Sequence, residues 1–247
     1  MGKSFFSDVR VVDLRGRDRD WSIPRLVTDM GTGEFQDVTM HGDVTKPFEG
    51  RSRHTTCKVT ISKGTSKGTT ALFVYGGVHG KDSMFSLSLG RVLEWTRLTS
   101  SGEGPGDLFS HCCASIKSDI YIFGGLDQSS TCSNVLYKYD TLVSKWERIG
   151  FPMATKSSTS ATVANALPPT NPYYKMHALG ENLILIGNEK MKNRKTKMTL
   201  HVLNVRAGIE KKWKTIDVSK KIVLGMFKYS LNRIYTLNMP VHPVEQY

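Results

Sequence analysis

The feature that most constrains this chain is an apolar strand pattern that stops at two consecutive glycines and then returns. It occurs as ALFVYGG, ending at Gly76 and Gly77, and again as DIYIFGG, ending at Gly124 and Gly125. The copies lie about fifty residues apart, a spacing typical of arrays of small sheets. Because glycine adopts a positive φ at no steric cost, it suits the end of a strand in a crowded interior. The pattern therefore predicts a fold of repeated units.

Each glycine pair has similar neighbours. A histidine precedes the apolar strand in both copies, at His54 and His111, and a tryptophan follows at Trp95 and Trp146. Four short antiparallel strands in each unit, arranged radially about an axis, would give an all-β propeller with glycine at the crowded inner strand. We expect each tryptophan to pack between neighbouring sheets and each histidine to have a structural role, because both recur with the repeat.

A third unit is present in altered form. The stretch PYYKMHALGENLILIGNEKM repeats strand, turn and strand, but only Gly187 of the glycine pair remains, with Asn188 beside it. Asparagine tolerates left-handed backbone geometry better than most residues, so we expect the turn to persist. Trp213 is the predicted outer-strand tryptophan of this unit.

The repeats predict one domain of about four units. Its parts are a partial unit at 1–46, full units at 47–100 and 101–152, a divergent unit at 153–218, and partial or closing strands at 219–247. Two interpretations of the ends stay open. The last strands could complete the first sheet and close a ring without exposed edges, or the chain could be a fragment of a larger propeller.

Positive charge is the second notable feature. Lys and Arg number 34 against 22 Asp and Glu, a net charge of +12, which favours anionic partners. The stretch NEKMKNRKTKMT is predicted to form a basic hairpin loop. The candidate contacts to RNA or an acidic protein partner are Lys190, Lys192, Arg194, Lys195, Lys197, Lys211 and Lys212. The alternative is that these are ordinary solvated lysines, and the lack of interleaved aromatic residues argues against base stacking.

Catalytic chemistry is not indicated. Cys112 and Cys113 are adjacent, and because successive side chains of a strand point to opposite faces, they are poorly placed to share a metal ion. The glycines carry no phosphate-binding spacing. We therefore predict no catalytic residue, no bound cofactor and no metal. No apolar run is long enough to cross a membrane and the cysteine spacing suggests reduced thiols, so we expect an intracellular protein, in the cytoplasm or the nucleus.

The segment from Gly50 to Ile149 resembles the kelch-repeat family, through RHTT, LFVYGG, EWTRL, GEGP, SHCCAS, IFGGL and SNVLY. With the later MFKYSLNRIYTLN it is similar to the kelch half of the tRNA wybutosine-synthesizing methyltransferases, the second type of leucine carboxyl methyltransferase. This resemblance implies a non-catalytic binding or scaffold role in tRNA hypermodification, with S-adenosylmethionine held only by a separate methyltransferase domain. The alternatives are a general kelch protein-interaction adaptor or an accessory to a DNA or chromatin factor.

Overall fold

The structure is a computed structural model. It describes the backbone at 11–12, 21–22, 25–29, 35–37, 50–61, 68–80, 83–89, 93–150, 167–190, 196–208, 212–217, 227–230 and 233–236. Side chains are described at 50–61, 68–80, 83–89, 94–150, 167–189, 197–208 and 212–216. Over these ranges the regular elements longer than one residue are all strands. A search of the same residues for a helix long and apolar enough to span a membrane finds none.

The first part of the chain contains a short antiparallel pair and a six-stranded sheet. The pair is β1 (Val11–Val12) and β2 (Trp21–Ser22). The sheet consists of β3 (Arg25–Asp29), β4 (Phe35–Asp37), β5 (Thr55–Ile61), β6 (Thr69–Tyr75), β7 (Met84–Leu89) and β8 (Leu93–Leu98). Its order is β4-β3-β8-β7-β6-β5, so the early strands β3 and β4 extend the outer edge of an antiparallel four-stranded meander.

The second sheet repeats this plan. Its strands are β9 (Ser101–Gly102), β10 (Cys112–Ile116), β11 (Asp119–Phe123), β12 (Leu136–Asp140) and β13 (Lys145–Ile149). The order is β10-β11-β12-β13-β9, with β9 added in parallel to the outer strand, as β3 is added to β8. A short parallel strand therefore covers the outer edge of both meanders, which protects that edge from pairing with other chains.

The third sheet is a plain four-stranded meander. It contains β14 (Lys175–Leu179), β15 (Asn182–Lys190), β16 (Thr196–Asn204) and β17 (Lys214–Asp217). Two further strands, β18 (Phe227–Ser230) and β19 (Arg233–Thr236), pair with each other. The described pairings thus do not join β18 or β19 to the first sheet. The unit boundaries proposed from the sequence stay a prediction.

Aromatic side chains fill the space between consecutive sheets. Tyr75 ends β6, and its ring centroid lies 5.1 Å from that of Trp146 in the next sheet. Phe123 ends β11 in the same way, with its ring centroid 5.6 Å from that of Trp213 in the third sheet. All four side chains are buried. The contact between the strand that ends at the glycine pair of one unit and the tryptophan of the following unit therefore repeats, and it holds each sheet against the next.

Candidate functional site

The first strands of the three meanders, β5, β10 and β14, lie side by side and are called the innermost strands here. The residues just before them meet at one pocket. His54 precedes β5, His111 precedes β10 and Tyr174 precedes β14. Together with their neighbours they surround a pocket of about 510 Å³. Its lining residues are Arg53, His54, Thr55, Thr56, Ser110, His111, Cys112, Cys113, Pro172, Tyr173, Tyr174, Lys175, Met176 and His177. Because the lining comes from equivalent positions of three units, the pocket lies where the innermost strands begin, at the axial end of the propeller.

Glycine is required at the second position of each pair because the histidine before the innermost strand packs directly over it. Gly77 has φ +96°, and a Cβ placed there would lie 2.9 Å from the Cβ of His54. Gly125 has φ +97°, and its Cβ would lie 2.8 Å from the Cβ of His111. Any larger residue would meet both a strained backbone and a collision. The sequence pairing of histidine with double glycine is therefore one structural motif, seen twice.

The third unit departs from this motif. Gly187 lacks a positive φ, and β15 continues through it to Lys190, paired with β16. The expectation that a turn persists at Gly187 and Asn188 is therefore wrong. A Cβ at Gly187 would collide with the ring of Tyr174, which stands where the other units have histidine. Glycine here makes room for an aromatic ring, while the extended strand lengthens the hairpin.

The imidazoles of the pocket are held uncharged. Burial, followed by the nearby His54, lowers the pKa of His111 to about 4, against a small opposing effect from the backbone of Tyr75. Its Nε2 lies 2.7 Å from the Oγ1 of Thr55, which links the second unit to the first. Burial also lowers the pKa of His54, helped by Arg51, and lowers that of His177, helped by Lys175. Near neutral pH these histidines offer hydrogen bonds rather than charge.

The positive charge of the pocket comes from two side chains on different units. Arg53 and Lys175 both line it and both are exposed, and none of the described lining residues carries a carboxylate. Arg53 has φ +57°, and its guanidinium lies 5.9 Å from the ring centroid of Phe109. The pocket is therefore a positively charged site with neutral imidazoles and apolar walls.

The ends of β10 and β14 that lie away from the pocket have a different electrostatic character. There the ammonium of Lys117 lies 3.0 Å from one carboxylate oxygen of Glu181, and Arg206 Nε lies 2.9 Å from the other. These basic side chains have a carboxylate partner between them. The basic side chains of the pocket, in contrast, have no carboxylate among the described lining residues.

A buried polar cluster lies beside the pocket, in the lengthened hairpin. One oxygen of Glu189, Oε1, accepts hydrogen bonds of 2.6 Å from Tyr174 Oη and from Thr199 Oγ1, and lies 2.6 Å from His201 Nε2. The other ring nitrogen of His201 is 2.9 Å from Thr215 Oγ1. Burial, then the bond to Glu189, raises the pKa of Tyr174. The cluster holds the hydroxyl of Tyr174 in place beside the pocket and links β15, β16 and β17.

The basic residues selected from the sequence are not brought together as one described loop. Lys190 ends β15, paired with Thr196, and Lys197 is paired with Glu189, so both lie in strands and not in a loop as expected. Lys212 is exposed before β17. The remaining candidates lie outside the described residues: Lys192, Arg194, Lys195 and Lys211.

The predicted tryptophans occupy related but unequal places. Trp95 on β8 and Trp146 on β13 are buried within outer strands, whereas Trp213 is buried just before β17. Gly76 and Gly124 both have positive φ and begin the turn after the inner strand. The four cysteines of the chain are free thiols.

Sequence reasoning missed the residues that give the pocket its charge. Arg53 and Lys175 are isolated cations far apart in the chain, so a search for clustered charge passes over them. Tyr173, 80% exposed at the rim, was also missed. The available signal was positional, since all three lie within one residue of the repeated position before an innermost strand.

Comparison with known proteins agrees with the architecture. Residues 16–168 match the family described as the KLHDC2/KLHL20/DRC7 Kelch-repeats domain, and the chain belongs to that family. The all-β kelch propeller predicted from the sequence is thereby confirmed. Among solved structures, the chain is similar to one titled "Structure of YjhT", at 15% identity and a TM-score of 0.49, covering 86% of this chain. The chain spans 59% of the length of that structure. No curated protein matches it.

Proposed function

We propose that this chain is a protein-interaction module that binds an acidic peptide segment at the axial pocket. The observation that carries the proposal is that Arg53 and Lys175, from different units, line one pocket whose described lining has no carboxylate. Two cations held on separate units attract an anionic segment and set its direction of approach. The kelch family assignment supports a surface-contact role without supplying a partner.

The shape and lining of the pocket suit a peptide. Its volume of about 510 Å³ is that of a site for a few side chains. Tyr173 is 80% exposed at the rim, where an aromatic ring can cover one face of a bound segment, and Met176 contributes an apolar wall. The neutral imidazoles of His54 and His177 add hydrogen-bonding groups without further charge.

The test begins with selection from a random peptide display library on the purified chain. We expect the selected peptides to be enriched in Asp and Glu. The best peptide, labelled with a fluorophore, is then titrated by anisotropy against the wild type and an Arg53→Gln, Lys175→Gln double variant. Loss of two pocket charges should weaken binding by about tenfold or more, equivalent to about 1.4 kcal/mol.

The matched control is a Lys145→Gln, Lys214→Gln double variant, which removes the same charge from exposed positions on outer strands. It should bind the peptide with nearly wild-type affinity, and both variants should melt near the wild-type temperature. Selected peptides without acidic enrichment, or equal weakening by both double variants, would contradict the proposal.

A tRNA-binding role, as the propeller part of a wybutosine-synthesis methyltransferase, is the weaker candidate. It rests on the basic residues between Lys190 and Lys197 and on the resemblance noted from the sequence. The comparisons lend it no support. The same purified chain can be titrated with phenylalanine tRNA, and S-adenosylmethionine would enter only through a separate domain. Retention of tRNA at moderate salt, lost on charge reversal at Lys192, Arg194 and Lys195, would favour this role over the peptide.

A further inference from the structure

Two thiols from neighbouring units face the same seam beside the pocket. Cys57 belongs to β5 of the first full unit and Cys113 to β10 of the next. Cys57 is a buried member of the hydrophobic cluster at this seam, and Cys113 packs against the same cluster. The thiol of Cys113 donates a 3.5 Å hydrogen bond to the carbonyl oxygen of Thr56, the residue next to Cys57. The two thiols are therefore neighbours across the seam between two units.

The seam itself holds the two strands in a defined alignment. Ser115 Oγ donates a 2.8 Å hydrogen bond to the carbonyl oxygen of Lys58, and Thr55 Oγ1 lies 2.7 Å from His111 Nε2. These contacts lie on either side of the thiol pair. Because bonds on both sides fix the spacing of β5 and β10, the alignment of these strands keeps Cys57 and Cys113 close to each other in the folded protein.

The two thiols differ in exposure. Cys113 is half-buried and lines the pocket, whereas Cys57 is only 7% exposed and lies behind it. The neighbouring thiol of Cys113 lowers the pKa of Cys57 against the opposing effect of burial, with a further contribution from Ser115. The same contact raises the pKa of Cys113. One thiol is thus reachable, and the other is the better holder of negative charge.

We propose that Cys57 and Cys113 form a redox-sensitive dithiol that closes to a disulfide between neighbouring units, with a small-molecule disulfide such as glutathione disulfide as the oxidant. This inference goes beyond the proposed peptide-binding function and does not depend on it. It assigns the wall of the pocket a second property, a covalent bond across the seam that forms and breaks with the thiol–disulfide balance.

The reaction proceeds by two exchanges. The thiol of Cys57 first loses its proton to solvent. The sulfur of Cys113 then attacks one sulfur of the oxidant as its proton passes to the thiolate of Cys57, and the oxidant's S–S bond breaks to release one thiolate. That thiolate takes the proton back from Cys57. The sulfur of Cys57 then attacks that of Cys113, forming the protein disulfide and releasing the second thiolate, which is protonated by solvent. The net change converts two protein thiols and one small disulfide into one protein disulfide and two small thiols.

The remaining cysteines serve as internal controls. Cys112 points to the other side of β10, where its thiol lies 3.5 Å from the carbonyl oxygen of Phe123. Cys112 is buried, and burial raises its pKa to about 12. Cys132 lies outside the pocket lining. Among the described residues, the hydrophobic cluster at this seam includes Cys57 and Cys113 but neither Cys112 nor Cys132.

The experiment equilibrates the folded full chain with mixtures of reduced and oxidised glutathione, blocks remaining thiols with iodoacetamide, and analyses tryptic peptides by mass spectrometry. Cys57 lies in HTTCK, and Cys113 lies in LTSSGEGPGDLFSHCCASIK, which also contains Cys112. Because the second peptide carries two cysteines, Cys112→Ser is needed to locate the bond. We expect the two peptides to be cross-linked in the wild type and in Cys112→Ser, and the link to be lost in Cys113→Ser.

Cys57→Ser should instead accumulate glutathione on the peptide that contains Cys113, because the second exchange cannot occur. Cys132→Ser should behave as the wild type. A near-ultraviolet circular dichroism spectrum of each variant checks that it is folded. The proposal is overturned if the folded wild type gives no cross-link at any glutathione ratio, or if a link from Cys57 persists in Cys113→Ser.

Discussion

The second and third sheets differ in the residue that precedes the innermost strand and in how the next strand ends. In the second sheet the chain before the innermost strand carries His111, and the inner strand stops at Gly124 and Gly125 with positive φ. In the third sheet the equivalent position carries Tyr174, and β15 runs on through Gly187 to Lys190. The histidine packs directly over the turn at Gly125. The tyrosine needs an extended strand and a polar anchor, which Glu189 provides.

The difference shows that a repeat position is defined by its place in the fold and not by residue type. Both His111 and Tyr174 pack edge-on to aromatic rings, at centroid distances of 5.7 Å from Tyr75 and 6.2 Å from Phe123. Each also forms polar contacts with a neighbouring strand. The pocket thus receives an imidazole from one unit and a phenol from the next, which makes its wall asymmetric.

The largest effect is expected where the two sheets are alike. Trp146→Ala should lower the free energy of unfolding by about 3–5 kcal/mol, because a buried indole packed between two tyrosine rings is lost. Denaturant titration followed by circular dichroism measures it. The control Val143→Ala, at a side chain 65% exposed, should change it by about 0.5 kcal/mol or less. Similar losses from both variants would mean that the indole does not join the sheets.

Alanine substitutions should show what each glycine of the pair in the second sheet contributes. Gly124→Ala meets only a 3.4 Å contact with the carbonyl oxygen of Ser133, so its cost should be about 1 kcal/mol, from the positive φ alone. Gly125→Ala adds a collision with His111 and should cost about 1–3 kcal/mol more. Thermal and denaturant unfolding of the two variants gives the comparison, and equal costs would contradict it.

At Gly187 the strain should come from the neighbour and not from the backbone. Gly187→Ala should destabilise the chain because its methyl group meets the ring of Tyr174. In a Tyr174→Ala background the same substitution should cost much less. The matched test is Gly125→Ala in a His111→Ala background, where the positive φ leaves a residual cost of about 1 kcal/mol. A double-mutant cycle with no coupling at Gly187 would show that the ring contact is unimportant.

A smaller effect is expected at the carboxylate that anchors Tyr174. Burial raises the pKa of Glu189, but hydrogen bonds from Thr199, Tyr174 and His201 together hold it below its ordinary value. Glu189→Gln should therefore cost about 1–3 kcal/mol at neutral pH. A carboxyl group whose pKa is depressed by folding stabilises the folded state at pH values above its ordinary pKa of 4.5. The gap in free energy of unfolding between Glu189→Gln and the wild type should therefore narrow as the pH falls below 4.5.

Urea unfolding at several pH values measures that gap. The exposed Glu103→Gln, whose side chain is 67% exposed, should leave the free energy of unfolding nearly unchanged at every pH. A gap for Glu189→Gln that widened toward acid pH would have the wrong sign and would refute the role of the carboxylate.

The smallest effect at neutral pH is expected from the pocket histidine. The pKa of His111 is about 4 in the folded protein against an ordinary 6.5, so the unfolded chain binds its proton first as pH falls. Stability from this group is complete above pH 6.5 and declines between 6.5 and 4. His111→Gln should flatten the pH dependence of stability in that window, as measured by urea midpoints. An unchanged slope would show that another group titrates there.

The repeats were predictable because they depend on local steric rules. Paired glycine after an apolar strand, a histidine before it and a tryptophan after it marked the two regular units without knowledge of the fold. The third unit was found but its turn was misjudged, because the choice between a turn and an extended strand at Gly187 depends on contact with the ring of Tyr174, which is bonded to Glu189. Local propensity contains no information about such contacts.

The sequence by itself determined the class of fold and the places where the backbone must be free of a side chain, because those follow from φ, strand alternation and repeat spacing. Only the tertiary structure decided which charges share a site. Arg53 and Lys175 are brought to one pocket, and Cys57 to Cys113, by the radial arrangement of the innermost strands. Proximity between residues of different units depends on how sheets pack, and clustering along the chain is a poor guide to it.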